Sequence, residues 1–400
     1  MKVLVVNAGS SSLKAQLMET KTGDVFANAY CERVGINGSF MTYKWNDKKV
    51  VITEDMPSHK DAFQLFLNTL MNGETAVISS LDEIKAIGHR VVNLGEKYNK
   101  SIIVTKEVFA DMQNYLHFAP LHNPGAMSGM KACMELMPNK TNVAVFDTAF
   151  HSTMPKKAYM YALPYELYEE NKIRRYGAHG TSHRYIARKC EELFGDLTGK
   201  KIISCHVGSG SSICAIKDGQ CVDTSMGYTP LAGVVMGTRT GDIDPAVIPD
   251  IMKIKNISAD EAITLMNKKS GLIGVCGFSD MRDIESAKVT DEKAQLAFDM
   301  MVYSIKKYIG AYAAAMNGVD YIVFTAGIGE KDEEVRAAVC ADMEYLGVEF
   351  DFEKNIKMHK PFGEIQEFTK PNSKVKVLRI PTDEELMIAL DTEETIKKSN

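Results

Sequence analysis

Lys2-Val3-Leu4-Val5-Val6-Asn7-Ala8-Gly9-Ser10-Ser11-Ser12-Leu13-Lys14-Ala15-Gln16-Leu17 begins as a compact β-branched run, halts at Gly and Ser, and resumes with partial alternation. That pattern reads as strand, Gly/Ser turn, strand. In the second half of the chain Lys201-Ile202-Ile203-Ser204-Cys205 runs into His206-Val207-Gly208-Ser209-Gly210-Ser211-Ser212, then into Ile213-Cys214-Ala215-Ile216 and the turn Asp218-Gly219. The same unit thus opens each half, although short Gly/Ser hairpins are common enough for coincidence to compete. Two related halves, each a sheet with helices, would leave a cleft. Backbone N–H groups of both turns would then face a polyphosphate.

Working outward, Asn142 to Phe146 reads as a buried strand ending at Asp147. Asp320 to Thr325 is another, ending at Ala326-Gly327-Ile328-Gly329-Glu330, and Val375 to Ile380 is a third, ending at Pro381-Thr382-Asp383. Helical periodicity is clearest from Asp291 to Asn317, and Glu333 to Tyr345 and the segment from Glu384 onward also read as helices. The class is α/β, in which ligands gather at the C-terminal ends of strands.

Composition narrows the function. At 400 residues the chain holds more than one core, and 45% apolar with 25% charged residues is ordinary for a globular protein. A net charge of −5 gives no general pull toward nucleic acid or an anionic membrane. No apolar run has the length of a signal-peptide core or a membrane span, so a cytoplasmic location is expected. The eight cysteines include no C-x-x-C pair and read as reduced thiols.

Single residues decide little. Asp147 at a strand end also suits an N-cap, Gly327 and Gly329 also suit a turn, and His89 and His179 also suit structural hydrogen bonding. Arg239, in Thr238-Arg239-Thr240-Gly241-Asp242-Ile243-Asp244-Pro245, sits between small residues that would admit a ligand. Together, two arginines (Arg90 and Arg239), an imidazole, a strand-end carboxylate, two Gly/Ser turns and a late acidic pair are the equipment of phosphoryl transfer. That chemistry needs charge neutralisation and in-line positioning more than covalent catalysis. No Walker-type G-x-x-x-x-G-K-[ST] is present, which argues against a P-loop fold.

At full length the motifs resemble acetate kinase. They are Asn7 to Lys14, Gly88-His89-Arg90-Val91-Val92, Ala119-Pro120-Leu121-His122-Asn123-Pro124, Phe146-Asp147-Thr148-Ala149-Phe150-His151, His179-Gly180-Thr181-Ser182-His183, Asp223-Thr224-Ser225-Met226-Gly227, Met236-Gly237-Thr238-Arg239 with Gly241 to Pro245, and Pro381-Thr382-Asp383-Glu384-Glu385-Leu386. The resemblance implies two related ribonuclease-H-like, actin-like ATPase domains with a nucleotide cleft between them. It places residues 1–150 plus 383–400 in the N-terminal domain and 151–382 in the C-terminal one. It implies a reversible, in-line reaction of ATP with acetate or a similar acid to give ADP and an acyl phosphate.

By the same resemblance Asn7 and Glu384 would position Mg²⁺, with Mn²⁺ as a substitute. Lys14 and His206, Val207, Gly208, Ser209 and Gly210 would hold ATP phosphates. Asp280, Met281 and Arg282, with Gly327, Ile328, Gly329, Glu330 and Lys331, would frame the adenosine. Arg90 would bind the substrate carboxylate beside Asp147, and His179 and Arg239 would stabilise the transferring phosphoryl group. Val92, Leu121, Ala178 and Pro230 would line the pocket for the acid's alkyl group. A homodimer is implied, with no nucleic-acid or membrane partner.

Three departures stand out. The family usually has His-Gly-Gly-Glu where this chain has Asn93-Leu94-Gly95-Glu96, a Phe where Ala178 stands, and an Asn where Lys331 stands. Ala for an aromatic residue is expected to enlarge the pocket, so propionate, butyrate or a branched acid competes with acetate as the substrate; Leu94 is the residue expected to oppose that. A different-class alternative is an actin- or Hsp70-like switch ATPase, and a sugar kinase fits less well because an arginine faces the acceptor.

Overall fold

The computed structural model describes residues 1–358 and 360–399. The chain divides into two compact units, Met1–Phe150 with Asp383–Asn400, and His151–Thr382.

In the first unit the strands are β1 (Lys2–Ala8), β2 (Ser12–Glu19), β3 (Val25–Glu32), β4 (Phe40–Trp45), β5 (Lys48–Thr53), β6 (Ala86–Val91), β7 (Ile102–Ile103) and β8 (Thr141–Phe146). They form one sheet in the order β5-β4-β3-β2-β1-β6-β8-β7. β1 to β5 pair antiparallel, and β6 joins β1, and β8 joins β6, in parallel. The apolar run of β1 is continuous because both faces are covered. Val3 and Val5 pack with Val143, Val145, Ile388 and Ala389, while Leu4 and Val6 join Leu13, Ala15, Leu17 and helix His59–Met71 on the other side.

The second unit contains β9 (Lys201–Val207), β10 (Ser211–Lys217), β11 (Gln220–Thr224), β12 (Tyr321–Thr325), β13 (Gln366–Glu367) and β14 (Lys376–Arg379), in the order β11-β10-β9-β12-β14-β13. Its antiparallel trio β11-β10-β9 followed by parallel β12 and β14 reproduces β3-β2-β1 followed by β6 and β8. The repeated opening is therefore a repeated topology. This is the two-domain, actin-like α/β arrangement.

One face of this second sheet is apolar. Ile203, Cys205, Val207, Ile213 and Ala215 pack on Ala294, Phe298, Met301, Ile305, Ile309 and Met316 of helix Glu292–Met316. That helix spans the expected segment, with Asp291 as its N-cap and Asn317, at φ 57°, as its left-handed C-cap. The alternate residues Ser204, His206 and Ser212 are also buried, so the second face is a dry polar surface.

Two local expectations change. Ala326 to Glu330 is not a loop: Ala326 takes φ 65°, and helix Ala326–Lys331 starts directly after β12, with the Glu330 carboxylate accepting from Ala326 N at 2.8 Å. The helix expected over Glu333 to Tyr345 stops at Cys340, because the chain is extended at Ala341 and left-handed at Asp342, φ 58°. Among the described residues no helix is long and apolar enough to cross a membrane.

His89 shows how closely the first sheet is sealed. It is buried on β6, its ring bonded to Asn142 Oδ1 at 2.7 Å, and burial pushes it down to about 4. The unfolded chain, with an ordinary histidine value of about 6.5, takes up this proton first as pH falls. Stability from a neutral His89 is present above that value and is lost down to about pH 4, by an amount on the order of 3 kcal/mol. His89→Gln should flatten the dependence of the denaturation midpoint on pH between those limits; an unchanged slope would assign the acid sensitivity elsewhere.

Candidate active site

In the first unit, parallel strands β6 and β8 end side by side, which brings Arg90 and Asp147 together. Arg90 Nη2 donates to Asp147 Oδ2 at 3.0 Å. Asp147 is 1% exposed, and its backbone N–H donates to Val91 O at 2.9 Å. Arg90 Nε is buried without a hydrogen-bond partner, so the guanidinium retains a donor. The charge of Asp147 raises Arg90 further, against burial and helped by Glu384 and Glu385. Glu384 opens the final helix, Glu384–Ser399. Burial pushes it up to about 7 against the pull of Arg90, with Asp147 and Glu385 adding repulsion and Lys14 attraction.

Asn7 and Lys14 are register partners across the β1–β2 hairpin. With Val5, Tyr30 and Glu385 they line a cavity of about 210 Å³. The turn between them is held by His59 Nε2 on Gly9 O at 2.8 Å. Gly125 lies so close that a Cβ there would sit 2.5 Å from Gly9 C and O, so only glycine fits.

In the second unit, His179 precedes helix Gly180–Phe194 in the left-handed region, φ 56° and ψ 23°, an unfavourable backbone for a side chain of this size. Its Nδ1 lies 2.9 Å from Ser212 Oγ, which also meets His183 Nε2 at 2.8 Å; His183 Nδ1 meets Ser204 Oγ at 2.9 Å. One hydroxyl cannot donate to both rings, so Ser212 donates to one and accepts from the other. When it donates to His179, the His179 Nε2 carries the proton and is a hydrogen-bond donor. His206 stacks on His179 at 4.1 Å and is held by Ser182 Oγ at 2.8 Å.

Arg239 converges on the same place. A Cβ on Gly210 would stand 3.5 Å from Arg239 Nη1 and 3.6 Å from His179 Nε2, so the Gly/Ser turn, the imidazole and the guanidinium meet. Arg239 donates to Pro230 O at 3.1 Å and touches Met236 Sδ at 3.8 Å. Among the described residues it meets no carboxylate, and burial alone pulls its pKa down. A partly buried cation without a counter-charge is a site for an anion. The Gly208 turn lies beside Gly327 N, whose own Cα faces open space.

Other expected residues are placed differently. Met281 is a core side chain, 3% exposed, leaving only its backbone to a ligand. Asp280 caps the next helix and pairs with the exposed Arg282 at 2.6 Å. The Glu330 carboxylate is occupied by Ala326 N and Thr382 N. Lys331 Nζ lies 5.9 Å from the Phe362 ring. Val92 is buried and Leu121 is 67% exposed. Leu94 packs with Val91, Tyr98 and Phe146 inside the first unit, so it fills core rather than a pocket. Asn93 serves the turn, its Oδ1 accepting from Gly95 N at 2.9 Å.

Ala178 forms a buried cluster with Met226 and Met236. Those two methionines and the serines Ser182, Ser204 and Ser212 lie in segments singled out in the sequence but carried no expected role there. Ser212 was detectable as the polar alternate between Ser211 and the core residue Ile213.

The Acetokinase family model matches residues 2–390. The chain is 50% identical over 403 residues to an acetate kinase of Clostridium novyi and 52% identical over 402 residues to one of Thermotoga maritima, covering 100% of this chain and 99–100% of those. The crystal structure of Porphyromonas gingivalis acetate kinase superposes with a TM-score of 0.94 at 47% identity, covering 99% of each chain. A propionate kinase from Francisella tularensis superposes with a TM-score of 0.90 at 36% identity, over 98% of this chain and 99% of that one.

Removing the shared hydroxyl tests the histidine network. Ser212→Ala should take away the hydroxyl that His179 and His183 share and cost about 1–3 kcal/mol. Denaturant midpoints should fall accordingly, and ¹⁵N imidazole shifts should show a changed tautomer balance at His179. Unchanged shifts would mean that Ser212 does not set that ring.

Proposed function

The chain belongs to the acetokinase family and is a carboxyl-accepting phosphotransferase with ATP and ADP as co-substrates, and on that premise we propose how its residues divide the work and which acid they take. The observation that carries the proposal is Arg239, a cation with no carboxylate partner among the described residues, beside the Gly210 backbone and His179.

Arg90 binds the acid's carboxylate through donors that Asp147 leaves available, and Asp147 holds the guanidinium in place. His179 Nε2–H and Arg239 donate to the equatorial oxygens of the phosphoryl group as it moves, where electrostatic stabilisation has its largest effect. Lys14 and the turn from His206 to Gly210 take the remaining nucleotide phosphates. Asp280 and Arg282 with Gly327 to Lys331 frame the adenosine.

Asn7 and Glu384 fit Mg²⁺, with Mn²⁺ as a substitute. Burial, with repulsion from Asp147 and Glu385, outweighs the pull of Arg90 and Lys14 and raises Glu384 to about 7, so a nearby cation would relieve it. A hard divalent ion suits such oxygen donors. When bound it would neutralise phosphate charge. The working form is a homodimer, and the setting is cytoplasmic.

The acid is acetate or a slightly larger one, and larger acids compete with acetate for the pocket. Ala178 stands where the family usually has a ring, and its neighbours Met226 and Met236 are unbranched and adaptable. Leu94 is committed to core packing. Each accommodated methylene is worth roughly 1–3 kcal/mol. The F. tularensis propionate kinase shows that this fold accepts such an acid in a related protein.

Trapping the product as a hydroxamate, with ATP and acetate, propionate, butyrate or isobutyrate, tests the proposal. Propionate or butyrate should match or exceed acetate in kcat/KM, and Ala178→Phe should restore acetate preference. A wild-type preference for acetate over propionate above about a hundredfold would defeat the enlarged pocket.

A further inference from the structure

Two thiols on the polar face of the second sheet are not used by phosphoryl transfer. Cys214 and Cys221 are both fully buried, with sulfurs 3.5 Å apart, and His151 Nδ1 lies 3.2 Å from Cys221 Sγ. The three donor atoms all lie within 4.8 Å of one another.

A defect in strand pairing creates this cluster. β10 and β11 run in register at Cys214↔Thr224 and Ala215↔Asp223, but a bulge follows and Ile216 pairs with Cys221. Without that bulge Val222 would take the place of Cys221 on this face. Instead Val222 packs against the apolar core on the other side, and a second sulfur joins Cys214.

His151 is presented as a ligand would be. Its Nε2 lies 2.9 Å from Ala178 O, and only N–H makes that bond, so Nδ1 keeps its lone pair and aims it at sulfur. A carbonyl that fixes the tautomer in this way is the usual support of a metal-binding histidine.

We propose that His151, Cys214 and Cys221 form a binding site for a thiophilic metal ion, Zn²⁺ or Cu⁺ by donor chemistry. Tetrahedral zinc, with Zn–S of about 2.3 Å and Zn–N of about 2.0–2.1 Å, requires donor separations of about 3.8 Å between sulfurs and about 3.6 Å from sulfur to nitrogen. The sulfur pair and the His151–Cys221 pair need to open by only a few tenths of an ångström. Loading a divalent ion releases two thiol protons to solvent, and the two thiolates cancel its charge, so no net charge is buried. Because His151 also holds Ala178 O, an occupied site would stiffen the backbone immediately before His179.

The test uses chelator-treated full-length protein and Co²⁺ as the spectroscopic probe. The expected result is one equivalent bound with sulfur-to-cobalt charge-transfer absorption, displaced by Zn²⁺ or Cu⁺. Affinity should fall by more than about 100-fold in Cys214→Ala and in Cys221→Ser, and not in the control Cys276→Ala. Where a variant misfolds by circular dichroism, wild-type absorption with release of about two protons per ion decides. Absence of charge transfer in wild type would overturn the proposal. So would a band that survives both substitutions, failure of both ions to displace cobalt, or a Cys214–Cys221 disulfide in the non-reduced protein.

Discussion

A half-buried guanidinium that meets no carboxylate among the described residues is the constraint on which the second unit depends. Ion pairs compensate buried charge, and an uncompensated one is costly. Arg239 keeps its charge against burial with one carbonyl and a thioether as its recorded contacts. Its surroundings explain how this is tolerated: Gly210 brings backbone within reach, and the glycine has no side chain to fill the space between Arg239 and His179. The partner that suits it is an anion, and in the proposed function that anion is the phosphoryl group being moved.

The first unit balances its charges in the opposite way. Arg90 has its carboxylate in Asp147, and beside them burial, with repulsion from Asp147 and Glu385 added, pushes Glu384 up to about 7. One unit lacks negative charge and the other has too much of it. In the proposed function a phosphoryl group relieves the first, and a divalent cation relieves the second. The polar face of β9 and β10 gives the arrangement rigidity, because each histidine there is held by a serine hydroxyl. His179 holds a left-handed backbone that its own side chain disfavours, which a network of this kind can impose.

Much of this was legible in the sequence because it is local. The β-branched runs of β1 and β9, the Gly/Ser turns that end them and the capped helix Glu292–Met316 need no knowledge of distant contacts. Arg90, Asp147 and Glu384 stood out as charged residues at the ends of apolar segments. What stayed hidden depends on which way a side chain faces. Met281 looked like part of a nucleotide frame and is core, and Leu94 looked like pocket and is core. Ser212, Met226 and Met236 became visible only when the strands and loops that carry them were placed. The pairing of Cys214 with Cys221 rests on a bulge that no spacing rule announces.

The central claim is that the unneutralised charge of Arg239 stabilises the moving phosphoryl group, and Arg239→Ala measures it directly. Steady-state turnover of the variant should fall by about 10²–10⁴ in kcat/KM, with the fold intact by circular dichroism. Added guanidinium should restore part of the loss, while urea, similar in shape but uncharged, should not. Near-wild-type turnover in a folded Arg239→Ala protein, or equal rescue by urea, would contradict the account.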